Sequence, residues 1–131
     1  MIRYYKPTDI IDFEEFWSSN VLAAALNDPD SVCLVYEVDG KVAGYGVLKN
    51  LEIDNICVDP KFRRKGYGQQ ILEALIAEVK GAEIILEVAI DNIAARELYG
   101  KYGFEELYVR KKYYDGKTDA VVMVKKLEPL G

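Results

Sequence analysis

Apolar and polar residues alternate differently in successive segments of the chain. Apolar residues in segment 9–26 recur mostly at helical intervals until a turn rich in Asp and Pro, so we expect one or two short helices there. Segments 31–38 and 42–48 have the pattern of strands, and the Asp39-Gly40 dipeptide between them is typical of a tight hairpin. The first half of the chain is therefore predicted to place helix before sheet.

A shift in this alternation marks the next predicted strand, 51–58. Leu51 and Ile53 set an apolar face with a period of two, and the pattern slips by one residue at Ile56. One extra residue in a strand, a β-bulge, produces such a slip, and we place it near Asp54-Asn55. Alternatively, both faces of the strand are buried, and the slip then indicates no bulge.

The second half alternates helices with strands. Apolar positions between residues 68 and 80 form a helical stripe that Gly81 ends, and segment 83–89 is an apolar strand. A further helix is predicted from an N-cap at Asp91 or Asn92 to about residue 102, with Gly103 as its stop. Two last strands, 106–110 and 120–125, flank a polar loop that contains Asp115-Gly116. This order predicts a three-layer α/β domain with a mixed sheet.

Length and composition limit the alternatives. With 131 residues, half of them apolar and 30% charged, the chain fits one globular domain spanning 1–131. No apolar run approaches the length of a membrane span, and the first residues lack a signal-peptide pattern, so a cytoplasmic protein is expected. Cys33 and Cys57 are too few for a secreted disulfide framework and are expected to be buried free thiols.

The chain contains no histidine. Ordinary zinc sites have almost no ligands here, so no metal is expected, and hydrolases that need a histidine base are excluded. Any proton transfer must use Asp, Glu, Tyr, Lys or Cys.

Charge is distributed unevenly along the chain. The net charge is −5, which argues against a general nucleic-acid partner, yet residues 61–65 hold four of the 17 positive charges. Gly66 and Gly68 follow, where bare backbone N–H groups at the start of a helix can approach an anion. The segment is predicted to bind a pyrophosphate, although charge alone would favour a solvated surface loop. Neither the dinucleotide fingerprint nor the nucleoside-triphosphate loop fits, because Ile71 replaces a required glycine and no Gly-Lys-Ser/Thr follows.

Segment 63–68, Arg-Arg-Lys-Gly-Tyr-Gly, resembles the Arg/Gln-x-x-Gly-x-Gly/Ala signature of the GNAT superfamily of acetyltransferases. The preceding segment 55–60 and the stretch 86–104 also fit that family. The Tyr pair at 113–114 and segment 119–123 are most similar to ribosomal-protein alanine N-acetyltransferases and other N-terminal acetyltransferases. The resemblance implies an acetyl-CoA-dependent N-acetyltransferase with a GNAT-like three-layer α/β/α fold. Its mixed, mostly antiparallel sheet would splay between strands 51–58 and 83–89.

The resemblance also implies roles for individual residues. Glu87 would be the general base and Tyr99 would protonate the leaving thiolate. Asn92 would bond the pantetheine amides, and Tyr113 and Tyr114 would hold the acceptor peptide. The remaining cofactor contacts would come from two segments, the strand residues Ile56, Cys57 and Val58 and the loop residues Arg63, Arg64, Lys65, Gly66, Tyr67 and Gly68.

Each of these side chains has a plain structural alternative. Glu87 can be an exposed or arginine-paired carboxylate, and Tyr99 can be a core aromatic residue. Asn92 can be a helix cap only, and Tyr113 and Tyr114 can pack on the sheet.

The resemblance implies an amine acceptor, and we expect it to be the α-amine of a protein N-terminus such as that of a ribosomal protein. The α-amine costs about 1 kcal/mol to deprotonate at pH 7, against roughly 4–5 kcal/mol for lysine. A small-molecule amine acetyltransferase and a non-catalytic acyl-CoA-binding module remain alternatives, and the sequence leaves the oligomeric state open.

Overall fold

The structure is a computed structural model that describes residues 1–13, 23–24, 26–114 and 118–127, without the side chains of 112–114. Of the segment predicted as one or two helices, residues 9–13 are irregular and residues 23, 24 and 26 are helical. The rest of that prediction lies outside the described residues. The chain divides into two compact units, Met1–Val79 and Lys80–Gly131.

The described residues of the first unit form antiparallel strands that pair in chain order. They are β1 (Ile2–Tyr4), β2 (Ser31–Val38), β3 (Lys41–Lys49) and β4 (Glu52–Val58), followed by a 3₁₀ turn (Pro60–Phe62) and helix α1 (Tyr67–Glu78). The short strand β1 is not signalled by the sequence, because three residues are too few to show a period.

The predicted hairpin and bulge are both confirmed. Asp39 and Gly40 have φ values of 50° and 80°, the left-handed pair that a tight turn between twisted strands requires. In the β3–β4 ladder Val47 lies opposite Asn55 and Leu48 lies opposite Ile53, so Asp54 is an extra residue in β4. The phase slip in the sequence therefore arises from a bulge.

Helix α1 packs closely on strand β3. Ile71 and Leu75 are fully buried, and a Cβ added at Gly46 would lie 2.6 Å from Ile71 Cγ2 and 2.7 Å from Leu75 Cδ1. A Cβ at Gly44 would lie 3.0 Å from Ile71 Cδ1. The two glycines thus let the helix approach the sheet more closely than any larger residue would allow.

The predicted end of α1 is wrong by two residues. The helix stops at Glu78, and Val79 is extended, with φ −75° and ψ 128°. The N–H of Val79 donates to the carbonyl of Ile76, which closes the last turn without a left-handed glycine. Gly81 is therefore not the helix cap.

In the second unit, strand β7 pairs with β5 on one side and with β6 on the other, both antiparallel. The elements are β5 (Glu83–Ala89), α2 (Ile93–Lys101), β6 (Glu105–Tyr114) and β7 (Thr118–Lys126). The bounds of β5 are as predicted. The last two strands are longer than the predicted 106–110 and 120–125, and the polar loop with Asp115-Gly116 lies in 115–117, outside the described residues.

Both predicted ends of helix α2 are confirmed. The Asn92 side chain caps its start, and Gly103, at φ 91°, follows its last turn. With helices and strands alternating as expected, the α/β fold class is also confirmed.

The two cysteines are reduced thiols, but neither is fully buried as predicted. Cys33 lies on the face of β2 next to the core of Val35, Tyr45 and Val47, and desolvation raises the pKa of its thiol to about 12.

Candidate functional site

In the first unit, the last residues of β4 follow directly after the bulge. Ile56, Cys57 and Val58 are partly exposed and lie opposite the Gly44–Gly46 segment of β3. Next to the bulge, Asn55 Nδ2 donates a 3.1 Å hydrogen bond to the hydroxyl of Tyr45, a fully buried residue. The core thus anchors the point at which the strand changes register.

A short turn connects β4 to the basic loop 63–68. Asp59 donates its N–H to the carbonyl of Ala43 and accepts the N–H of Lys61 through its carboxylate, at 2.8 and 3.0 Å. Arg63 Nε donates back to the carbonyl of Val58 at 3.2 Å. The structure therefore brings the predicted strand and loop together, and one arginine holds the loop against the end of β4.

The loop itself winds through left-handed conformations. Arg64 has φ 66° and Gly66 has φ 79°, and Gly66 is the N-cap of α1 with no capping side chain. The N–H groups in the first turn of a helix have no partner within it, and the helix dipole adds positive potential there. Because Arg64 and Lys65 are exposed beside these groups, the loop is suited to hold a compact anion such as a pyrophosphate.

Two of the predicted cofactor-binding residues of the loop, Tyr67 and Gly68, make different contacts. The ring of Tyr67 stacks on Tyr36, with centroids 4.1 Å apart and planes at 20°, so its side chain packs against β2. A Cβ at Gly68 would lie 3.6 Å from Val58 Cγ2, an ordinary contact. The fold would therefore accept alanine at this position.

In the second unit, Glu87 lies on β5 and forms an ion pair with Arg110 of β6. The Glu87 side chain is 11% exposed, against 45% for Arg110, and its second oxygen, Oε2, is screened from solvent. The arginine-paired alternative for Glu87 is thus observed, which is compatible with a role as base. The sequence does not identify Arg110 as the partner, because the two residues are 23 positions apart.

The loop between β5 and α2 is held in place by several polar contacts. Asn92 Oδ1 accepts the N–H of Ala95 at 3.2 Å, so its Nδ2 is the donor that remains for a ligand. Arg96 donates to the carbonyl of Ile90 at 2.7 Å and pairs with Glu106 at 2.6 Å. This arginine was not predicted from the sequence, although it fixes the loop that carries Asn92.

Tyr99 projects from α2 in the same unit. Its ring meets that of Phe104 edge-on, with centroids 5.9 Å apart. Burial raises the pKa of the Tyr99 phenol, because the phenolate loses hydration. A phenol in this environment stays protonated and can serve as a proton donor.

The side chains of Tyr113 and Tyr114 lie outside the described residues, while their backbone belongs to β6 rather than to a loop. Within the described ranges, no group of three His, Cys, Asp or Glu residues could hold a metal ion. No described helix has the length and hydropathy needed to cross a membrane.

Comparison with known proteins relates these features to one family. The family model of the acetyltransferase (GNAT) family matches residues 2–104. The ribosomal protein bS18-alanine N-acetyltransferase of Escherichia coli K12 is 40% identical over 95 residues, which are 65% of this chain and 64% of that protein. The matched region thus spans less than two thirds of this relative's length.

Solved structures agree with this match. The crystal structure of the ribosomal-protein-S18-alanine N-acetyltransferase from Escherichia coli superposes with a TM-score of 0.77 at 33% identity, covering 88% of this chain and 80% of that one. A GNAT family acetyltransferase from Elizabethkingia anophelis, crystallised with acetyl-CoA, has a TM-score of 0.82 at 20% identity and 97% coverage of both chains. The second likeness concerns the fold only. This chain belongs to the GNAT family of acetyltransferases.

Proposed function

We propose that this protein transfers an acetyl group from acetyl-CoA to the α-amine of a protein N-terminus. The observation that carries the proposal is the loop 63–68, in which left-handed backbone, a helix start and exposed cations converge. Membership of the GNAT family supports the same activity. The Escherichia coli relative named as a ribosomal protein bS18-alanine N-acetyltransferase supports a peptide acceptor that begins with alanine.

In the proposed complex, the loop binds the pyrophosphate of acetyl-CoA. Ile56, Cys57 and Val58 pair with the pantetheine arm as an added strand would, and Asn92 Nδ2 bonds its amides. A backbone N–H near the Asp54 bulge polarises the thioester carbonyl, in the manner of an oxyanion hole. Together these groups fix the acetyl carbon for attack.

Two side chains handle the protons in the proposed reaction. Glu87 takes one proton from the acceptor ammonium, directly or through a water, so that the nitrogen can attack the thioester carbon. The C–N bond forms, the C–S bond breaks, and Tyr99 gives its proton to the departing sulfur. The second proton that the nitrogen loses restores the phenol, so one proton is released to solvent in each turnover.

The cost of deprotonation favours an α-amine as the acceptor. At pH 7 the neutral α-amine costs about 1 kcal/mol, whereas a neutral lysine costs about 4–5 kcal/mol. A carboxylate base can supply the smaller amount more easily. A cytoplasmic location, the absence of nucleic-acid and membrane partners and a single domain over 1–131 remain predictions.

Calorimetry and a thiol-release assay together test the proposal. Acetyl-CoA at 100 times its Kd should stabilise the fold by about 2.7 kcal/mol. With a peptide that has the N-terminal sequence of ribosomal protein bS18 as acceptor, the protein should release CoA from acetyl-CoA. With the same peptide blocked at its N-terminus, it should release none.

Three other outcomes would change the proposal. Binding without turnover on any amine would make the protein an acyl-CoA-binding module. Turnover on polyamines or amino acids, but on no peptide, would make it a small-molecule enzyme. No binding at millimolar acetyl-CoA would overturn the proposal entirely.

A further inference from the structure

The ion pair between Glu87 and Arg110 spans three strands. Glu87 on β5 lies opposite Val122 of β7, and Arg110 on β6 lies opposite Ala120 of β7. Residues directly opposite in an antiparallel ladder share a face, and so do residues two apart in one strand. Both charged side chains therefore lie on one face of this sheet, and the arginine must reach across β7.

Ala120 makes this reach possible. It is fully buried and lies directly opposite Arg110, so its single methyl group leaves room for the long side chain. The guanidinium end then meets Oε1 of Glu87, while Oε2 is screened from solvent. The carboxylate is thus held by a group that is itself nearly half exposed.

A second ion pair joins β5, the strand that carries Glu87, to β7 and is far more exposed to solvent. Lys126 of β7 pairs with Glu83 of β5 at 3.2 Å, and the two side chains are 83% and 37% exposed. A pair of this kind contributes little to stability because both ions remain hydrated. The Glu87 carboxylate, by contrast, is largely withdrawn from water, so the ion pair with Arg110 contributes to fixing its orientation.

We propose that Arg110 is a positioning residue for the acetyl transfer, which sets the orientation of the Glu87 carboxylate so that it can accept the proton of the acceptor amine. The inference rests on the proposed function, since it names the group that makes Glu87 a competent base. Small errors in the position of a catalytic group lower rates strongly even when binding is intact.

The test compares Arg110→Gln and Arg110→Lys with the matched control Lys126→Gln. Arg110→Gln should lower kcat about tenfold or more, with the Kd of acetyl-CoA unchanged by calorimetry. Arg110→Lys keeps the charge but not the planar fork, so it should recover part of the rate. Lys126→Gln should leave kcat unchanged. Thermal melts of all variants verify that they are folded.

A double-mutant cycle separates positioning from a general structural effect. If Arg110 acts through Glu87, Arg110→Gln should have no further effect on kcat in the Glu87→Gln background. Additive losses, or a wild-type kcat in Arg110→Gln, would overturn the inference while leaving acetyl transfer intact. An absence of acetyl-CoA binding in the wild-type protein would instead overturn the proposed function and this inference with it.

Discussion

The candidate functional groups of the two units differ in kind. In Met1–Val79 the groups are mainly backbone N–H groups at a bulge and at a helix start, shaped by left-handed residues. In Lys80–Gly131 they are side chains, above all Glu87, Asn92 and Tyr99, each held by a specific partner. Substitutions in the first unit should therefore act through backbone geometry and local charge, and substitutions in the second unit through proton transfer.

The largest effect is expected for Glu87→Gln, which keeps the shape of the residue and removes the base. Turnover should fall by roughly 100-fold or more, while the Kd of acetyl-CoA stays unchanged. Part of the rate should return at high pH, where the acceptor amine is already neutral. Steady-state kinetics across pH, with Glu83→Gln as the control on the same strand, provides the measurement. Near-normal turnover would make Glu87 a structural residue.

Tyr99→Phe should have the next largest effect, about tenfold or more on kcat, because the leaving thiolate loses its proton donor. Raising the pH should not restore this rate, unlike that of Glu87→Gln. Burial raises the pKa of Tyr99, so the wild-type protein should lose stability as pH rises above the ordinary value of about 10, where the unfolded chain ionises first. Chemical denaturation at pH 9 and pH 11 checks this, and Tyr99→Phe should show a smaller loss.

In the first unit, Arg64→Glu should weaken acetyl-CoA binding about tenfold and reduce the dependence of this binding on salt. Fold stability should barely change, because Arg64 is exposed. Lys61→Glu makes the same charge change on the neighbouring turn and should weaken binding less. Equal Kd values for wild type and Arg64→Glu by calorimetry would indicate that the basic segment is a solvated surface loop that does not bind the cofactor.

The smallest effect on turnover, but a clear one on stability, is expected for Gly46→Ala. Its Cβ would clash with Ile71 and Leu75, which should cost about 1–3 kcal/mol in free energy of unfolding and displace α1. Gly68→Ala is the matched control, since its Cβ makes only an ordinary contact, and its stability should stay near that of wild type. Urea denaturation compares the two variants, and equal stabilities would contradict the close packing of α1 on β3.

Features that depend on neighbouring residues can be predicted from the sequence, whereas features that depend on distant contacts cannot. The Asp39-Gly40 turn, the bulge at Asp54 and the Asn92 cap depend on local chemistry, so a short segment is enough to predict them. Strand β1 depends on contacts with distant residues, so the sequence does not predict it. In β1, Arg3 pairs with Asp9 and with Glu37, and only the second of these lies on a neighbouring strand.

The residues of the candidate site also divide into those that local sequence reveals and those that depend on distant contacts. Loop 63–68 and Glu87 are visible in the sequence because glycines among cations, and a charge within an apolar strand, are locally unusual. The supports of the site are not visible in this way. Arg110 meets Glu87 only through the registers of two strand pairs, and Tyr45 meets Asn55 only through a third. Such partners can be found only after the strands have been paired.

The raised pKa of the Cys33 thiol makes this residue slow to react with alkylating reagents. With a thiol pKa of about 12, Cys33 is almost entirely protonated at pH 8, and thiolates are the reactive form. Cys57, the second reduced cysteine, lies in the strand segment predicted to bind the pantetheine arm. Maleimide should therefore label Cys33 slowly, and any protection of Cys57 by acetyl-CoA would report occupancy of the proposed site without a single substitution.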